Sequence, residues 1–334
     1  MIDRRRFIAS GGLLGLGLGG GLWPYRAIAA GTPIIAFSQA DLINDWRVTN
    51  QQDMKEHVEG AGYKFITASS EDDPAKQLSD IQSMLAQQPS VLVVAPLESV
   101  ALAPAVGLAD DAGIPMIVID RTLAAEPGTG MYKAEIVQSH YNSGKLLAEK
   151  AVELLKAKNG APKGSVVRVQ GIPGSSPVID AGKGWDDVMK PYPEVKTVGA
   201  SNAGFTKDGG IKVMQDFLQR FPKGQIDIVW SDYSDMTMGA IQAIKDAGRS
   251  EILGNIVGEG GQIAAIEAVT RGEIARETQT PPYFGEIVIQ NVKKLLAGQP
   301  IEPKQNLPIL VFDADKKADA QAYLDKIKGK GLKF

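Results

Sequence analysis

The sequence predicts an α/β protein made of two Rossmann-like, doubly wound lobes, each a parallel sheet with helices on both faces. Apolar segments of strand length alternate with amphipathic segments of helix length from Ile34 to Leu296, and this alternation is typical of βα units. The tripeptide Asp-Ala-Gly occurs at residues 111–113 and 246–248, in matching places where a helix should end on a glycine before a strand. With 334 residues the chain exceeds one comfortable hydrophobic core, so two lobes are expected.

The first run of units is bounded by clear start and stop signals. Asp73 followed by Pro74 predicts a helix start, and Gly62 and Gly113 predict helix ends. The apolar run 116–119 has no polar alternation, so it indicates a strand buried on both faces. The predicted elements are strand 34–37, helix 45–61, strand 64–68, helix 73–87, strand 91–95, helix 101–111 and a fourth strand from Ile114.

A second run begins near residue 139 and repeats the pattern. The predicted elements are helix 142–156, strand 166–170, helix 177–190, strand 197–200, helix 208–220, strand 226–231, helix 236–247, strand 252–257, helix 262–271, strand 275–280 and helix 283–296. The Lys-rich tail from Asp315 is expected to form a solvated surface helix.

Composition excludes several kinds of site. The chain has no cysteine, so disulfides, thiolate metal sites and cysteine nucleophiles are excluded. Only His57 and His140 could be imidazole ligands, and we expect no metal and no cofactor. No Gly-x-Ser-x-Gly motif occurs. His140 follows a predicted strand and could face a crevice, but one histidine without a nucleophile makes no triad.

The first 29 residues have the order of an export leader. Arg4, Arg5 and Arg6 precede a Gly- and Leu-rich stretch, and Ala27-Ile28-Ala29 is a small-x-small cleavage site. The order resembles a twin-arginine signal, and a stretch of roughly 16 Gly-diluted residues is too short for a membrane anchor. We therefore expect a soluble periplasmic protein. Removal of the leader, with one Asp and four Arg, takes the net charge from −3 to −6, which argues against nucleic acid or anionic membranes as partners.

Polar side chains follow the ends of predicted strands, where ligand crevices form in open α/β sheets. Carboxylates accept hydrogen bonds from adjacent hydroxyls, a guanidinium donates to others, and an indole can stack on a sugar ring. This combination suits a polyhydroxylated ligand, although an exposed Asp-Arg pair at a loop start and a core tryptophan remain alternatives. The candidates are Ser38, Asp41, Trp46, Arg47, Asp120, Arg121, Asp180, Asp232, Tyr233, Glu259 and Gln279.

Together these segments resemble the ribose- and galactofuranose-type periplasmic binding proteins of ABC importers. The resemblance is carried by Phe37-Ser-Gln, Trp46-Arg47, Ile119-Asp-Arg, Val-Gln-Gly-Ile-Pro-Gly-Ser-Ser at 169–176 and Met-x-x-Gly-Ala-Ile-Gln-Ala-Ile at 236–244. It implies the type I periplasmic binding fold, in which two lobes are joined by three crossovers and close like a hinge on a monosaccharide. It places Ser38, Trp46, Arg47, Asp120 and Arg121 in the N-terminal half of the site and Gln279 at the hinge.

The resemblance also implies boundaries, partners and a role. The N-terminal lobe is expected at residues 30–138 plus 280–306, and the C-terminal lobe at 139–279 plus 307–334. The expected role is that of a monomeric, non-enzymatic receptor that binds a sugar or polyol and delivers it to an inner-membrane ABC permease. A sensor of the same fold that feeds a kinase or chemoreceptor, and a periplasmic glycosidase, are the alternatives.

The second half departs from the family pattern. Ala181 stands where the family usually has Arg, Tyr233-Ser234 replaces Asn-Asp, and Glu259 takes the place of an Asp. The loss of an Arg beside several acidic groups hints at an amino sugar, a deoxy sugar or a linear polyol as the ligand.

Overall fold

The structure, a computed structural model, describes residues 31–328 and 334. Its strands are β1 (Ile34–Gln39), β2 (Lys64–Ser69), β3 (Val91–Val94), β4 (Met116–Asp120), β5 (Tyr132–Gln138), β6 (Gly164–Gln170), β7 (Val195–Asn202), β8 (Ile228–Ser231), β9 (Ile256–Gly260), β10 (Arg276–Gln279), β11 (Lys304–Leu307) and β12 (Leu310–Asp313). Its α-helices are α1 (Asp45–Gly60), α2 (Pro74–Leu85), α3 (Ala105–Ala112), α4 (His140–Asn159), α5 (Ser176–Met189), α6 (Lys207–Arg220), α7 (Ser234–Asp246), α8 (Ile263–Arg271), α9 (Gly285–Leu296) and α10 (Lys317–Lys328).

The strands form two six-stranded sheets of the same order. The first sheet runs β11-β5-β4-β3-β1-β2 and is parallel throughout. The second runs β12-β10-β9-β8-β6-β7, with β12 antiparallel to β10 and the other pairs parallel. The predicted pair of doubly wound sheets is confirmed. We call the first sheet with α1, α2, α3 and α9 the first lobe, and the second sheet with the remaining helices the second lobe.

The chain crosses between the sheets three times. It leaves the first sheet after β5, returns to the first lobe after β10, and crosses again between β11 and β12. Because α4 begins at His140, two residues after β5 ends, the first crossover places a helix start beside the space between the lobes. The side chain of Ser139 caps this helix by accepting from the backbone N–H of Asn142.

Most predicted elements appear, and the differences in bounds have local causes. Strand 252–257 is observed as β9 at Ile256–Gly260, because Ser250–Ile252 forms a 3-10 turn and Gly254 adopts a left-handed φ of +80°. Strands β11 and β12 were not predicted, because they are short and largely exposed and lack a buried apolar run. Gly113 and Gly248 adopt left-handed φ values of +66° and +64°, so the predicted glycine helix ends are confirmed.

Burial follows the sequence pattern. The four apolar residues of β4 from Met116 to Ile119 have no exposed surface, so the prediction that helices cover both faces of this strand is confirmed. The predicted leader, residues 1–29, lies outside the described residues and stays a prediction. Among the described residues no helix combines the length and the hydropathy that a bilayer crossing requires.

Candidate functional site

A cavity lies between the two lobes at the carboxyl ends of their strands. The space between its walls, with the open solvent at its mouth included, is about 390 Å³. The first lobe contributes the start of α1 and the end of β4, and the second lobe contributes the ends of β8 and β9. The lining residues are Asn44, Trp46, Arg47, Asp120, Arg121, His140, Pro177, Phe205, Asp232, Tyr233, Glu259 and Thr280.

In the first lobe, a buried ion pair forms one wall. Nη1 of Arg47 lies 2.8 Å from Oδ2 of Asp120, and both side chains are at least nine-tenths buried. Burial lowers the pKa of Arg47, but the charges of Asp120 and Asp41 outweigh this effect, and the pKa lies above its ordinary value. Burial and the neighbouring charge of Arg47 lower the pKa of Arg121 to about 10, so both guanidinium groups are charged at neutral pH.

The start of α1 positions this wall. Asn44 caps the helix by accepting from the backbone N–H of Arg47. Trp46, two residues after Asn44, donates from its indole Nε1 to the carbonyl of Thr280 at 2.6 Å. The guanidinium of Arg47 lies 4.7 Å from the centre of the Trp46 ring, within the range of a cation–π contact. The cap therefore brings an aromatic face and a cation to the same side of the cavity.

In the second lobe, a different buried pair forms the opposite wall. Asp232 accepts from Nε of Arg168 at 3.0 Å, from Nη2 of Arg168 at 2.9 Å and from the backbone N–H of Gly171 at 3.1 Å. Burial raises the pKa of Asp232, and these donors oppose the rise. The guanidinium of Arg168 lies 3.7 Å from the centre of the Trp230 ring, which stacks on Trp185 at 4.2 Å. The carboxylate is thus fixed in orientation before any ligand meets it.

Aromatic rings and a second acid complete this wall. Phe205 packs edge-on against Tyr233, with ring centres 6.1 Å apart, and the hydroxyl of Tyr233 accepts from Nε2 of Gln262. Glu259, near the end of β9, lies 2.9 Å from Nδ1 of His140, measured from its Oε1. The cavity therefore offers apolar faces beside oriented acceptors, an arrangement that suits the C–H faces and hydroxyls of one small ligand.

Two cavity residues have unusual backbone conformations. Asp120 has φ of +66° and Phe205 has φ of +59°, both in the left-handed region that non-glycine residues rarely adopt. Such residues cost about 1–3 kcal/mol each and tend to occur at functional sites. One lies in each lobe, and each turns its side chain to the cavity.

Direct contacts join the lobes around the cavity. Nδ2 of Asn44 donates to the carbonyl of Phe205 at 3.3 Å, and the guanidinium of Arg121 lies 5.2 Å from the Phe205 ring centre. Nearby, the backbone N–H of Thr122 donates to Oγ of Ser176 at 2.9 Å. The two lobes thus touch through short polar contacts on the rim of the cavity.

Seven of the predicted site residues line the cavity, namely Trp46, Arg47, Asp120, Arg121, Asp232, Tyr233 and Glu259. The other four lie elsewhere. Oγ of Ser38 accepts from Gln77, Asp41 lies behind Arg47, Asp180 pairs with Lys183 on α5, and the amide of Gln279 donates to the hydroxyl of Tyr323.

The lining also includes residues that were not among the predicted set. Asn44, His140, Pro177, Phe205 and Thr280 line the cavity, and Arg168 holds one of its acids. A single arginine inside the apolar run of β6 is a usable signal, because a buried cation needs a carboxylate partner. We find no sequence signal for Phe205, which lies in the loop after β7. Among the described residues no cluster of His, Asp or Glu side chains could hold a metal ion.

Comparison with known proteins matches nearly the whole described chain. The profile of the family described as periplasmic binding protein domain matches residues 35–300. The ribose import binding protein of Escherichia coli (strain K12) is 27% identical over 271 residues, which cover 81% of this chain and 87% of that protein. The xylitol-binding protein of Mycolicibacterium smegmatis is 26% identical over 98% of this chain and 89% of its own length. A crystal structure from Mycobacterium smegmatis in complex with β-D-fucofuranose superposes with a TM-score of 0.81 at 27% identity, covering 90% of this chain and 96% of that one.

Proposed function

The chain belongs to the periplasmic binding protein family, and from this premise we propose that it is the solute-binding protein of an ABC importer whose ligand is a neutral monosaccharide or polyol. The resemblance found in the sequence is confirmed by the family match and by the relatives. The observation that carries the proposal is the cavity itself, where three carboxylates and two guanidinium groups surround a space bounded by aromatic rings.

The charges around the cavity favour a ligand without net charge. Asp120 is paired with Arg47, Asp232 with Arg168, and Glu259 with His140. A paired carboxylate keeps free lone pairs for ligand hydroxyls but has no uncompensated charge to offer an ammonium group. The hint of an amino sugar rested on a missing Arg near residue 181. Arg168 on β6 brings a guanidinium to this region, since its Nη2 donates to the carbonyl of Val178 at 3.0 Å, and this supports a ligand without net charge.

The relatives point to the same ligand class and the same role. The matched proteins are named for ribose import and for xylitol binding, and the superposed structure holds a furanose sugar. A sensor of the same fold is not favoured, because a relative matched over most of this chain is named as an import protein. We propose that the lobes, joined by three crossovers at the boundaries given above, open and close around the ligand and that the closed form docks on the permease as a monomer.

A glycosidase is the remaining alternative, and the electrostatics of the cavity disfavour it. Such an enzyme needs one carboxyl group that keeps its proton and gives it to the leaving group. Each of the three cavity carboxylates is instead held within 3 Å of a basic side chain, so none is an unpaired carboxyl group of the kind that serves as the acid. We therefore propose a binding protein without catalytic activity.

A thermal-shift screen tests the proposed function. The mature protein is melted with D-ribose, xylitol and D-fucose, and with D-glucosamine as the charged counterpart. A ligand at about 100 times its dissociation constant adds about 2.7 kcal/mol to the free energy of unfolding, and we expect such a shift with a neutral member. A shift with glucosamine alone, or with no member at all, contradicts the proposal.

Export is proposed to use the twin-arginine route to the periplasm, on the strength of the leader at residues 1–29. Replacing Arg4 and Arg5 together by Lys should leave folded precursor in the cytoplasm, measured by cell fractionation. The reverse replacement at Lys55 and Lys64, both to Arg, is the control and should not alter export. Normal periplasmic accumulation of the first variant excludes this route.

A further inference from the structure

His140 and Glu259 form a buried pair at the crossover between the lobes. His140 is the first residue of α4, it is 7% exposed, and its Nδ1 lies 2.9 Å from Oε1 of Glu259, which is 2% exposed. Both residues line the cavity. Nε2 of His140 is buried and has no hydrogen-bond partner within residues 31–328 and 334.

This geometry fixes what the imidazole can offer. A ring nitrogen at hydrogen-bond distance from a carboxylate carries a proton, so Nδ1 donates to Glu259. Nε2 is then the only part of the ring left for another group. A buried polar atom without a hydrogen-bond partner costs free energy, and a ligand atom that bonds to it recovers that free energy on binding.

The surroundings decide whether Nε2 is a donor or an acceptor. Burial lowers the pKa of His140, but the charge and hydrogen bond of Glu259, with the charges of Asp120 and Asp180, outweigh it and raise the pKa above its ordinary value. The imidazolium form therefore persists to higher pH than in an ordinary histidine, and in that form Nε2 carries a proton. The charged groups that face this region from the packed elements are Glu259 on β9, Asp120 and Arg121 at the end of β4, Arg47 on α1, Asp180 on α5 and Asp232 after β8.

We propose that His140 is a specificity-determining ligand contact: Glu259 holds it as an imidazolium, and its Nε2–H donates to an oxygen of the ligand. The inference rests on the proposed function, since it needs a hydroxylated ligand in the cavity. A ligand that lacks an oxygen at this point leaves the charged N–H unpaired in a closed site, and sites built to bond a hydroxyl reject the deoxy analogue strongly. A ligand ammonium at this point meets a positive charge. The second lobe thus selects against sugars that lack an oxygen, or carry an ammonium group, at the position that Nε2 faces.

Two variants of His140 separate its two hydrogen bonds. In His140→Asn the amide nitrogen can take the place of Nδ1 and keep the hydrogen bond to Glu259, but the side chain is too short to reach the ligand. The Gln side chain can replace Nε2 and keep the donor to the ligand without a titrating group. We expect His140→Asn to weaken binding about ten- to a hundredfold and His140→Gln to weaken it much less.

The pH dependence gives a second readout. As pH rises through the pKa of His140, Nε2 loses its proton and can only accept, so a ligand hydroxyl must reverse its hydrogen bond and loses the charge assistance. We expect wild-type affinity for a neutral sugar to fall about tenfold from about pH 6 to about pH 9. In His140→Gln and His140→Asn this dependence should disappear.

The experiment combines calorimetry with NMR. Calorimetric titrations use the strongest binder among D-ribose, xylitol and D-fucose at both pH values. The chain has two histidines, His57 and His140, so the imidazole signals can be assigned with the His57→Asn variant. His57 lies on α1 beside Asp53 with its side chain 40% exposed, and His57→Asn should leave affinity and its pH dependence unchanged. Glu259→Gln should move the titration of His140 to lower pH.

The outcomes distinguish the two proposals. A sugar that binds with the expected pH dependence, lost in both His140 variants, supports the inference. A sugar that binds equally at both pH values, or equally to wild type and His140→Asn, overturns the inference and leaves the proposed function standing. If no member of the panel binds, the proposed function fails and the inference falls with it.

Discussion

The two lobes have the same strand order but hold their cavity acids in different ways. Asp120 ends β4 and Glu259 lies next to the end of β9, and these strands occupy the same position in the two sheets. Asp120 faces Arg47, whose charge is permanent at biological pH. Glu259 faces His140, whose imidazole can gain or lose a proton and so change its charge.

Topology places an acid at the same strand end in both lobes, and the basic partner of each acid decides whether the charge of that wall changes with pH. The first lobe presents a wall whose charge does not change with pH. The second lobe presents a wall that titrates, and it also buries Arg168 and Glu277 inside its core region. We therefore expect the second lobe to be the more sensitive of the two to substitution of buried charges and to pH.

Loss of the Arg168 cation should give the largest effect. In Arg168→Leu the carboxylate of Asp232 stays buried without its partner, and breaking a buried pair from one side costs about 3–5 kcal/mol. The contact of Arg168 with the Trp230 ring is lost as well. Urea unfolding at neutral pH without ligand measures the change.

The double variant Arg168→Leu with Asp232→Asn is the control for this prediction. It removes the stranded charge, so it should recover a large part of the lost free energy of unfolding. If Arg168→Leu alone lowered the free energy of unfolding by less than about 1 kcal/mol, the pair of Arg168 and Asp232 would be solvated like a surface pair.

Glu277 on β10 should make stability depend on pH. Burial raises its pKa from 4.5 to about 7, against the hydrogen bonds from Ser234 and Gly261. Between these two values the folded state binds more protons than the unfolded state, so the free energy of unfolding falls as pH rises, by about 3 kcal/mol in total. Glu277→Gln should abolish this fall, as measured by denaturation at a series of pH values.

Glu135 in β5 provides the matched comparison in the first lobe. It is also buried, which raises its pKa, but it lies near Lys304 and receives a hydrogen bond from Tyr132. Glu135→Gln should change the pH dependence in the same direction and by less. If Glu135→Gln and Glu277→Gln changed the pH dependence of the free energy of unfolding equally, the expected difference between the lobes would be wrong.

Much of the fold could be predicted because buried strands leave a strong signal. The apolar run of β4 and the glycine helix ends at Gly113 and Gly248 needed no tertiary information. Strands β11 and β12 could not be found in this way. They are short and largely exposed, and their place is set by pairing with β5 and β10 rather than by their own composition.

The part of the site that the sequence could predict consists of the residues at strand ends. Asp120, Asp232 and Glu259 follow the rule that ligands meet the carboxyl ends of parallel strands. Gln279 also ends a strand, but its side chain points to Tyr323, since neighbouring residues of a strand face opposite sides. Phe205 reaches the cavity from a loop with a left-handed backbone, which no periodicity encodes.

Replacing Asp120 by Asn should weaken sugar binding about ten- to a hundredfold, since hydrogen bonds from ligand hydroxyls to a charged acceptor contribute about 1.5–3 kcal/mol. Asn is chosen because it tolerates the φ of +66° at this position, whereas Ala adds about 1 kcal/mol of strain. Calorimetry measures affinity. Asp80→Asn, which alters a surface pair with Lys76, is the control and should bind normally. Unchanged affinity of Asp120→Asn would place the residue outside the site.

The smallest effect concerns the contact between the lobes and bears on closure itself. Oγ of Ser176 in the second lobe accepts from the backbone N–H of Thr122 in the first. If the lobes separate when the ligand leaves, this bond exists only in the closed form, and its loss should weaken binding without changing the stability of either lobe. Ser176→Ala removes one neutral hydrogen bond of about 1 kcal/mol, so affinity should fall about fivefold.

Calorimetry gives the affinity of the variant. Small-angle scattering of the ligand-free protein should show a larger radius of gyration in the variant than in the wild type if the wild type samples the closed form. If affinity, radius and unfolding all stay unchanged, the bond does not bias closure. If only the free energy of unfolding changes, the two lobes behave as one rigid unit. The lobes would then differ in how their cavity acids are paired but would not move relative to each other.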